Sequence, residues 1–389
     1  MKVPRGFKAA GISCGIKEGA EDLALIYSEL EASAWGLFTS NRVKAAPVLY
    51  SRRKLRRGRA RAIIANSGCA NACTGPKGLE DARRMAQAVA RTLEIPEGEV
   101  LVASTGVIGE PLPIERIEAA VPELSRSLSP EGFEEAARAI MTTDKRPKIR
   151  WASTSFGGKE VMVLGIAKGA GMIRPNLATM LAFLVTDAGI DPPLLRGLLR
   201  EAVSESFNRI TVDGDQSTND TVFLLANGAS GPLGEGGMGA LREALKEVAR
   251  GLALEIVRDG EGATKVVEIV VRGARNRRDA ERAAYRLAHS PLVKTALFGR
   301  DPNWGRFMVA LGDAGVKIDP ARVQIRIDGL PLVKDGVQAP EFDEAKVREL
   351  MRRDEFRIEV DLQLGEGSFG LFTCDLSYDY VRINASYRS

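Results

Sequence analysis

Gly165-Ile-Ala-Lys168-Gly-Ala-Gly171-Met-Ile-Arg174-Pro175-Asn176-Leu177-Ala178-Thr179-Met-Leu-Ala-Phe-Leu-Val-Thr-Asp187 decides how this chain is read. Glycines come first, with one lysine among them. Arg174-Pro175-Asn176 cannot continue a helix, because a proline pushes the residue before it towards extended backbone. The apolar run after Thr179 reads as a buried strand. A small hydroxyl residue heading a core strand, behind a polar loop, is the layout of a self-cleaving N-terminal-nucleophile precursor. In that chemistry the Thr179 hydroxyl attacks the Ala178 carbonyl, the peptide becomes an ester, and water releases it. Thr179 is left with a free α-amine of unperturbed pKa ~7.7–8.0, which can act as base for its own hydroxyl. Taken locally, a threonine that opens a strand is also an ordinary β-former.

The composition narrows the chemistry further. The chain has 389 residues, enough for one large domain or two ordinary ones. A net charge of +4 is small for that length and calls for neither nucleic acid nor membrane. Cys14, Cys69, Cys73 and Cys374 are too scattered for a disulfide framework. Cys69 and Cys73 have no histidine near them in sequence, which argues against zinc; no metal and no bound cofactor are expected. The first residues contain no apolar signal region and no run is long enough to span a bilayer, so a cytoplasmic protein is expected. The single histidine, His289, ends an amphipathic helix over Arg277 to His289 and reads as a surface or capping residue. An acyl-transfer enzyme built from this sequence would therefore take its base from an N-terminal amine.

Taken in order, the chain alternates strands and helices. Leu23–Tyr27 and Ala34–Phe38 read as two short strands. The Arg/Lys-rich segment Ser51 to Arg61 lacks the interleaved aromatics of a nucleic-acid surface and reads as a solvated loop or a charge-protected edge strand. Ala62–Ala65 runs as a strand into the Gly/Asn-rich loop Asn66 to Gly75, whose residues suit positive φ but lack the Gly-Lys-Ser/Thr ending of a phosphate loop. A helix follows over Leu79 to Leu93. The strand Val100–Ala103 ends in Ser104-Thr105-Gly106. Such a turn can aim a hydroxyl and a backbone N–H at one point, as a developing oxyanion requires. Helices are expected over 113–124 and 130–141, and a hairpin of strands around Gly157-Gly158. Next come a helix over Pro192 to Phe207, a strand over Val222 to Ala226, a glycine-rich loop over Gly228 to Gly239, a helix over Ala240 to Arg258 and a strand over Val266 to Val271. A smaller α/β lobe is expected from Arg277 to about Phe356. Asp213-Gly-Asp215-Gln-Ser-Thr-Asn-Asp220 suggests calcium but fails on spacing, with Thr218 where the glycine and Leu224 where the bidentate Glu should stand.

The stretch Lys168 to Met180 resembles the cleavage motif of the ornithine acetyltransferases, the glutamate N-acetyltransferases of arginine biosynthesis. Further segments are similar to that family: Asn66 to Gly75, Thr105-Gly106, Asp213 to Thr221, Asp259-Gly-Glu261-Gly-Ala-Thr-Lys265, Arg300-Asp-Pro-Asn-Trp304-Gly-Arg306 and the C-terminal Cys374 to Ser389. The resemblance implies an α+β fold, an N-terminal-nucleophile-like four-layer α/β/β/α sandwich with a smaller C-terminal α/β lobe. It implies cleavage between Ala178 and Thr179 into a first chain, 1–178, and a second chain, 179–389, two of each assembling together. It implies Thr179 as nucleophile, Thr105 and Gly106 as oxyanion donors, and Glu261, Asn384 and Ser389 in the substrate pocket, Glu261 suited to a substrate amino group. Lys168 lies close to the nucleophile in sequence and suits a substrate carboxylate, or covers the loop as a structural lysine. Thr143 is the residue expected to make the family's threonine contact. Lys145, Gln216 and Ser386 depart from the family pattern, which usually has Thr, Thr and Asp or Glu there. The roles of Asp213, Asp215 and Asp220 stay unassigned.

The activity implied is transfer of an acetyl group from N2-acetyl-L-ornithine to L-glutamate through an acetyl-Thr179 ester. The residues leave open whether acetyl-CoA also serves as donor. A hydrolase of the same superfold, an aminopeptidase or amidase sending the acyl group to water, is the alternative that added glutamate would separate. Thr179, Thr105 and Gly106 together argue against a third reading, a non-enzymatic binding protein.

Overall fold

The computed structural model describes residues 1–174 and 180–386. Pro175, Asn176, the cleavage residues Ala178 and Thr179, and the terminal Ser389 lie outside them. The chain divides into two compact units, each built on one sheet with helices packed against it, an α+β architecture.

The first unit comprises residues 1–208 and 215–256. Its strands are β1 (Phe7–Ile12), β2 (Leu23–Phe38), β3 (Arg59–Asn66), β4 (Val100–Ser104), β5 (Lys148–Phe156), β6 (Lys159–Lys168), β7 (Leu181–Thr186) and β8 (Thr221–Ala226). They pair in the order β4-β3-β2-β8-β7-β6-β5, with β1 added on β2. The two short strands expected at 23–27 and 34–38 are one strand of 16 residues. Its length lets β2 serve two partners along one edge, β1 with its first half and β8 with its second. A register shift between Tyr27 and Ala32 marks the change. Alternation along β2 feeds both faces of the sheet. Ala24 and Ile26 join Phe133 in one core, while Leu23 and Leu25 join Met85 and Ile117 in the other.

The helices of this unit are α1 (Ala46–Lys54), α2 (Gly75–Leu93), α3 (Ile114–Arg126), α4 (Phe133–Ala139), α5 (Pro192–Glu205) and α6 (Glu235–Arg258). Two expectations are corrected here. The basic run is neither a loop nor an edge strand. Arg52, Arg53 and Lys54 close α1, where a helix C-terminus favours cations, and Arg59 begins β3, which lies inside the sheet between β4 and β2. The glycine-rich stretch before Ala240 is not all loop, because α6 starts at Glu235. Gly236 and Gly237 lie against the Phe156 ring, where a Cβ would approach it to 2.8 and 2.9 Å.

The second unit comprises Arg209–Gly214 and residues 257–386. Its strands are β9 (Val266–Ala274), β10 (Gln324–Ile327), β11 (Leu330–Lys334), β12 (Val337–Gln338), β13 (Glu355–Asp361) and β14 (Gly367–Cys374). They run β12-β11-β10-β13-β9-β14. Its helices are α7 (Arg277–Ala288), α8 (Pro291–Gly299), α9 (Trp304–Gly312), α10 (Glu344–Leu350) and α11 (Tyr378–Ser386). The expected lobe was drawn too small, because β9, ahead of it in sequence, sits between β13 and β14 in its sheet. Ala280, Ala283, Ala284 and Leu287 line the buried face of α7 at helical spacing. His289 caps that helix as expected, and its Nε2 lies 2.9 Å from the Thr211 hydroxyl.

Among the described residues no helix is long and apolar enough to cross a membrane. No group of His, Cys, Asp and Glu among them could hold a metal ion.

Two glycines test this packing in opposite directions. A Cβ on Gly11 would lie 2.2 Å from the Glu135 carbonyl oxygen of α4, whereas Gly197 of α5 has open space around it. Gly11→Ala should cost about 1–3 kcal/mol by overpacking. Gly197→Ala should stabilise by about 0.5–1 kcal/mol through helix propensity. Urea denaturation of the two variants checks both signs.

Candidate functional site

The site in the first unit forms where β3, β4 and β6 end. β3 and β4 are parallel, with Asn66 opposite Ser104, so both strands deliver their turns to the same edge of the sheet. The turns are tied together. The Ser104 hydroxyl donates to Asn66 Oδ1 at 2.6 Å, and Asn66 Nδ2 donates to the Cys69 carbonyl at 2.9 Å. The Thr105 N–H donates to the Asn66 carbonyl at 3.0 Å. Gly106 has φ +130°, and a Cβ there would lie 2.3 Å from the Gly68 carbonyl carbon, so no other residue fits this turn. Among the described residues no group accepts the Gly106 N–H. The Thr105-Gly106 turn thus has the parts expected of an oxyanion site, a buried hydroxyl and a backbone donor.

Lys168, the last residue of β6, is buried at 3% exposure. Its Nζ donates to Thr142 Oγ1 at 2.7 Å and to Thr105 Oγ1 at 3.3 Å, and lies 4.0 Å from Asp144 Oδ2. The Asp144 carboxylate is equally buried. Its Oδ1 accepts from Lys148 Nζ at 2.6 Å and from the Gly169 N–H at 2.7 Å, and its Oδ2 from the Thr142 N–H at 3.1 Å. Burial opposes ionisation of Asp144, yet the charges of Lys168 and Lys148 and the Gly169 N–H outweigh it and hold the carboxyl at about 2. The Lys168 ammonium thus meets Thr142, and Thr143, the residue expected to make a substrate contact, is half-buried next to Thr142 in the chain.

The stretch from Asp213 to Thr221 divides its work. Asn219 Nδ2 donates to the Ala70 carbonyl at 2.6 Å and the Ser104 carbonyl at 2.8 Å, bracing the strand end that leads into Thr105-Gly106. Asp220 Oδ1 accepts the Met180 N–H at 3.0 Å, and β8 then runs parallel to β7. Asp220 Oδ2 is buried without a hydrogen-bond partner. The nearby Thr39 hydroxyl instead donates to the Ser217 carbonyl at 2.8 Å. Burial pushes the Asp220 carboxyl well above the usual carboxylate range, against the Met180 N–H and the charge of Lys168.

In the second unit, Glu261 lies on the loop between α6 and β9. Asp375 holds that loop. Its carboxylate accepts from the N–H groups of Thr264 and Lys265 at 2.8 and 3.1 Å and from the Thr264 hydroxyl at 2.5 Å. The Ser377 hydroxyl donates to the Gly262 carbonyl at 2.6 Å. Asn384 of α11 donates to Glu261 Oε2 at 2.8 Å, so two of the residues expected in the substrate pocket meet. Asp213 belongs to this unit as well, 3.4 Å from the Tyr380 hydroxyl.

The ArgJ family model matches residues 8–389. The chain belongs to the ArgJ family. It is 50% identical to the arginine biosynthesis bifunctional protein ArgJ of Geobacter sulfurreducens over 99% of both chains. It is 48% identical to the protein of the same name from Symbiobacterium thermophilum, over 100% of this chain and 98% of that one. The crystal structure of ArgJ from Bacillus halodurans, 40% identical, superposes with a TM-score of 0.50 over 53% of this chain and 98% of that chain. The chain is thus an enzyme, an ArgJ-type acyltransferase of arginine biosynthesis.

The ArgJ sequence pattern pointed to Thr105, Gly106, Lys168, Glu261 and Asn384. It gave no role to Asp144, Lys148, Asn219 or Asp375, which hold those residues in place. Asp144 and Lys148 are four apart but not on one helix, so their pairing leaves no periodic signal.

The state of Asp220 has a measurable consequence. Below pH ~3.9 its carboxyl is neutral in both the folded and the unfolded chain. As pH rises past that value the unfolded chain ionises while the buried group keeps its proton, so stability is lost with rising pH. Asp220→Asn removes this term. The melting temperature of the variant relative to wild type should climb between pH 4 and pH 7; a gap constant with pH would mean that Asp220 is ionised in the fold.

Proposed function

We propose that this chain moves the acetyl group of N2-acetyl-L-ornithine to L-glutamate, after cleaving itself between Ala178 and Thr179. The first chain would be residues 1–178 and the second 179–389, assembled as two of each. The observation that carries the reading is the Thr105-Gly106 turn beside Lys168, at the end of the strand from which the family's cleavage motif departs.

The chemistry balances in two halves. The Thr179 α-amine takes the hydroxyl proton as Oγ bonds to the acetyl carbonyl carbon. The Thr105 hydroxyl and the Gly106 N–H stabilise the oxyanion. The carbon–nitrogen bond breaks, and the proton passes to the departing amine of ornithine. Glutamate then enters, its amine attacks the ester carbonyl, and Oγ leaves with a proton, giving N-acetylglutamate and free Thr179. Glu261, oriented by Asn384, suits an amino group on the substrate, and the family resemblance gives Ser389 a part in substrate binding. Holding an amine at the ester while keeping water away makes the chain a transferase rather than a hydrolase. No bound cofactor takes part. The relatives' name, a bifunctional protein, is in line with a second activity, for which we propose acetyl-CoA as donor and glutamate as acceptor.

Intact mass spectrometry tests this. Purified protein should contain two polypeptides, the second beginning at Thr179, and N2-acetylornithine alone should add one acetyl mass to the second only. Thr179→Ala should stay uncleaved and inactive. Active wild-type protein in one uncleaved chain would overturn the reading.

A further inference from the structure

We propose that Asp144, locked by Lys148, is a positioning residue for acyl transfer: it sets the Lys168 ammonium against the Thr105 hydroxyl, so that Thr105 receives a charged donor and offers its own proton to the oxyanion. The proposal rests on the function proposed above for Thr105 and assigns Lys168 a task other than binding a substrate carboxylate.

The geometry carries it. A threonine hydroxyl has one proton and two lone pairs. At Thr105 one lone pair faces Lys168 Nζ at 3.3 Å, which leaves the proton for another acceptor. A hydroxyl that accepts from a cation becomes a stronger donor, since hydrogen bonds in a chain polarise one another where the dielectric is low. The ammonium is buried, so its place is set by its protein neighbours. The Asp144 carboxylate is 4.0 Å away, and Thr142, whose Oγ1 accepts a hydrogen bond from Lys168 Nζ at 2.7 Å, is itself pinned to Asp144 through its N–H. Lys148, fully buried, fixes Asp144 in turn at 2.6 Å. Asp144 also holds the Gly169 N–H, the first link of the loop that follows β6. One carboxylate thus fixes the lysine, the threonine beside it and the start of the cleavage loop.

The test is a double-mutant cycle on the rate of acetyl-enzyme formation from N2-acetylornithine, followed by mass spectrometry and scored on the processed fraction. Asp144→Asn alone leaves two buried ammonium groups without their carboxylate and is expected to fold poorly. Asp144→Asn with Lys148→Met removes one charge of each sign and keeps a carbonyl acceptor for the Gly169 N–H, an exchange that buried ion pairs tolerate. This pair should show the wild-type far-UV spectrum and a cooperative melt. Its maximal acylation rate should fall about tenfold or more, short of the roughly 100- to 1,000-fold cost of losing a whole oxyanion donor, with little change in half-saturating donor concentration. In a Thr105→Val background the same pair should have almost no further effect, because Asp144 acts through Thr105. An unchanged rate in the pair, or the same fold-loss with and without Thr105, overturns the proposal. A failure of wild-type protein to acquire an acetyl group would overturn the proposed function itself, and the role of Asp144 with it.

Discussion

A carboxylate between two lysines, all three out of reach of water, is the constraint on which the first unit's site depends. Burying Asp144 is costly unless it is paired and hydrogen-bonded, and the structure supplies Lys148, Lys168 and two backbone N–H groups. Such an arrangement is poor evidence for stability, because apolar replacements often serve as well. It is better understood as a device for placement. β5 begins at Lys148 and β6 ends at Lys168, so the two lysines lie at one end of the paired strands, next to the turn that carries Asp144.

The same economy runs through loops of both units. In each, a turn is held by a side chain from a distant part of the chain. Asn219 braces the Ser104 carbonyl from 115 residues away, and Asp375 holds the Glu261 loop across 111 residues at Thr264. These bonds go to backbone groups that the turns leave unpaired, and a buried backbone group without a partner is costly. Asn219 and Asp220 act in this way as scaffold of the first unit.

Much of this was legible in the sequence. The apolar runs of β4, β7 and β8 announced buried strands, and the α7 pattern gave its buried face. Resemblance to a family named Thr105, Gly106, Lys168, Glu261 and Asn384, and the fold brings Thr105 to Lys168 and Asn384 to Glu261. What could not be read were features decided by tertiary partners. The halves of β2 looked like two strands because Glu29 to Glu31 are exposed where the strand changes partners. Glycines at the start of α6 signalled a loop, since nothing local reveals that Phe156 packs there. Asp144 and Lys148 carry no sequence signal of their own, and only the fold shows that they are inside.

The central claim is that the acetyl group rests on the protein between donor and acceptor. Isotope exchange addresses it most directly: deuterated ornithine and unlabelled N2-acetylornithine are incubated with the enzyme in the absence of glutamate. Label should appear in N2-acetylornithine, because an acetyl-enzyme can return its acetyl group to any ornithine that binds. Exchange that occurs only when glutamate is present would contradict the claim and would point to direct transfer between two substrates bound together.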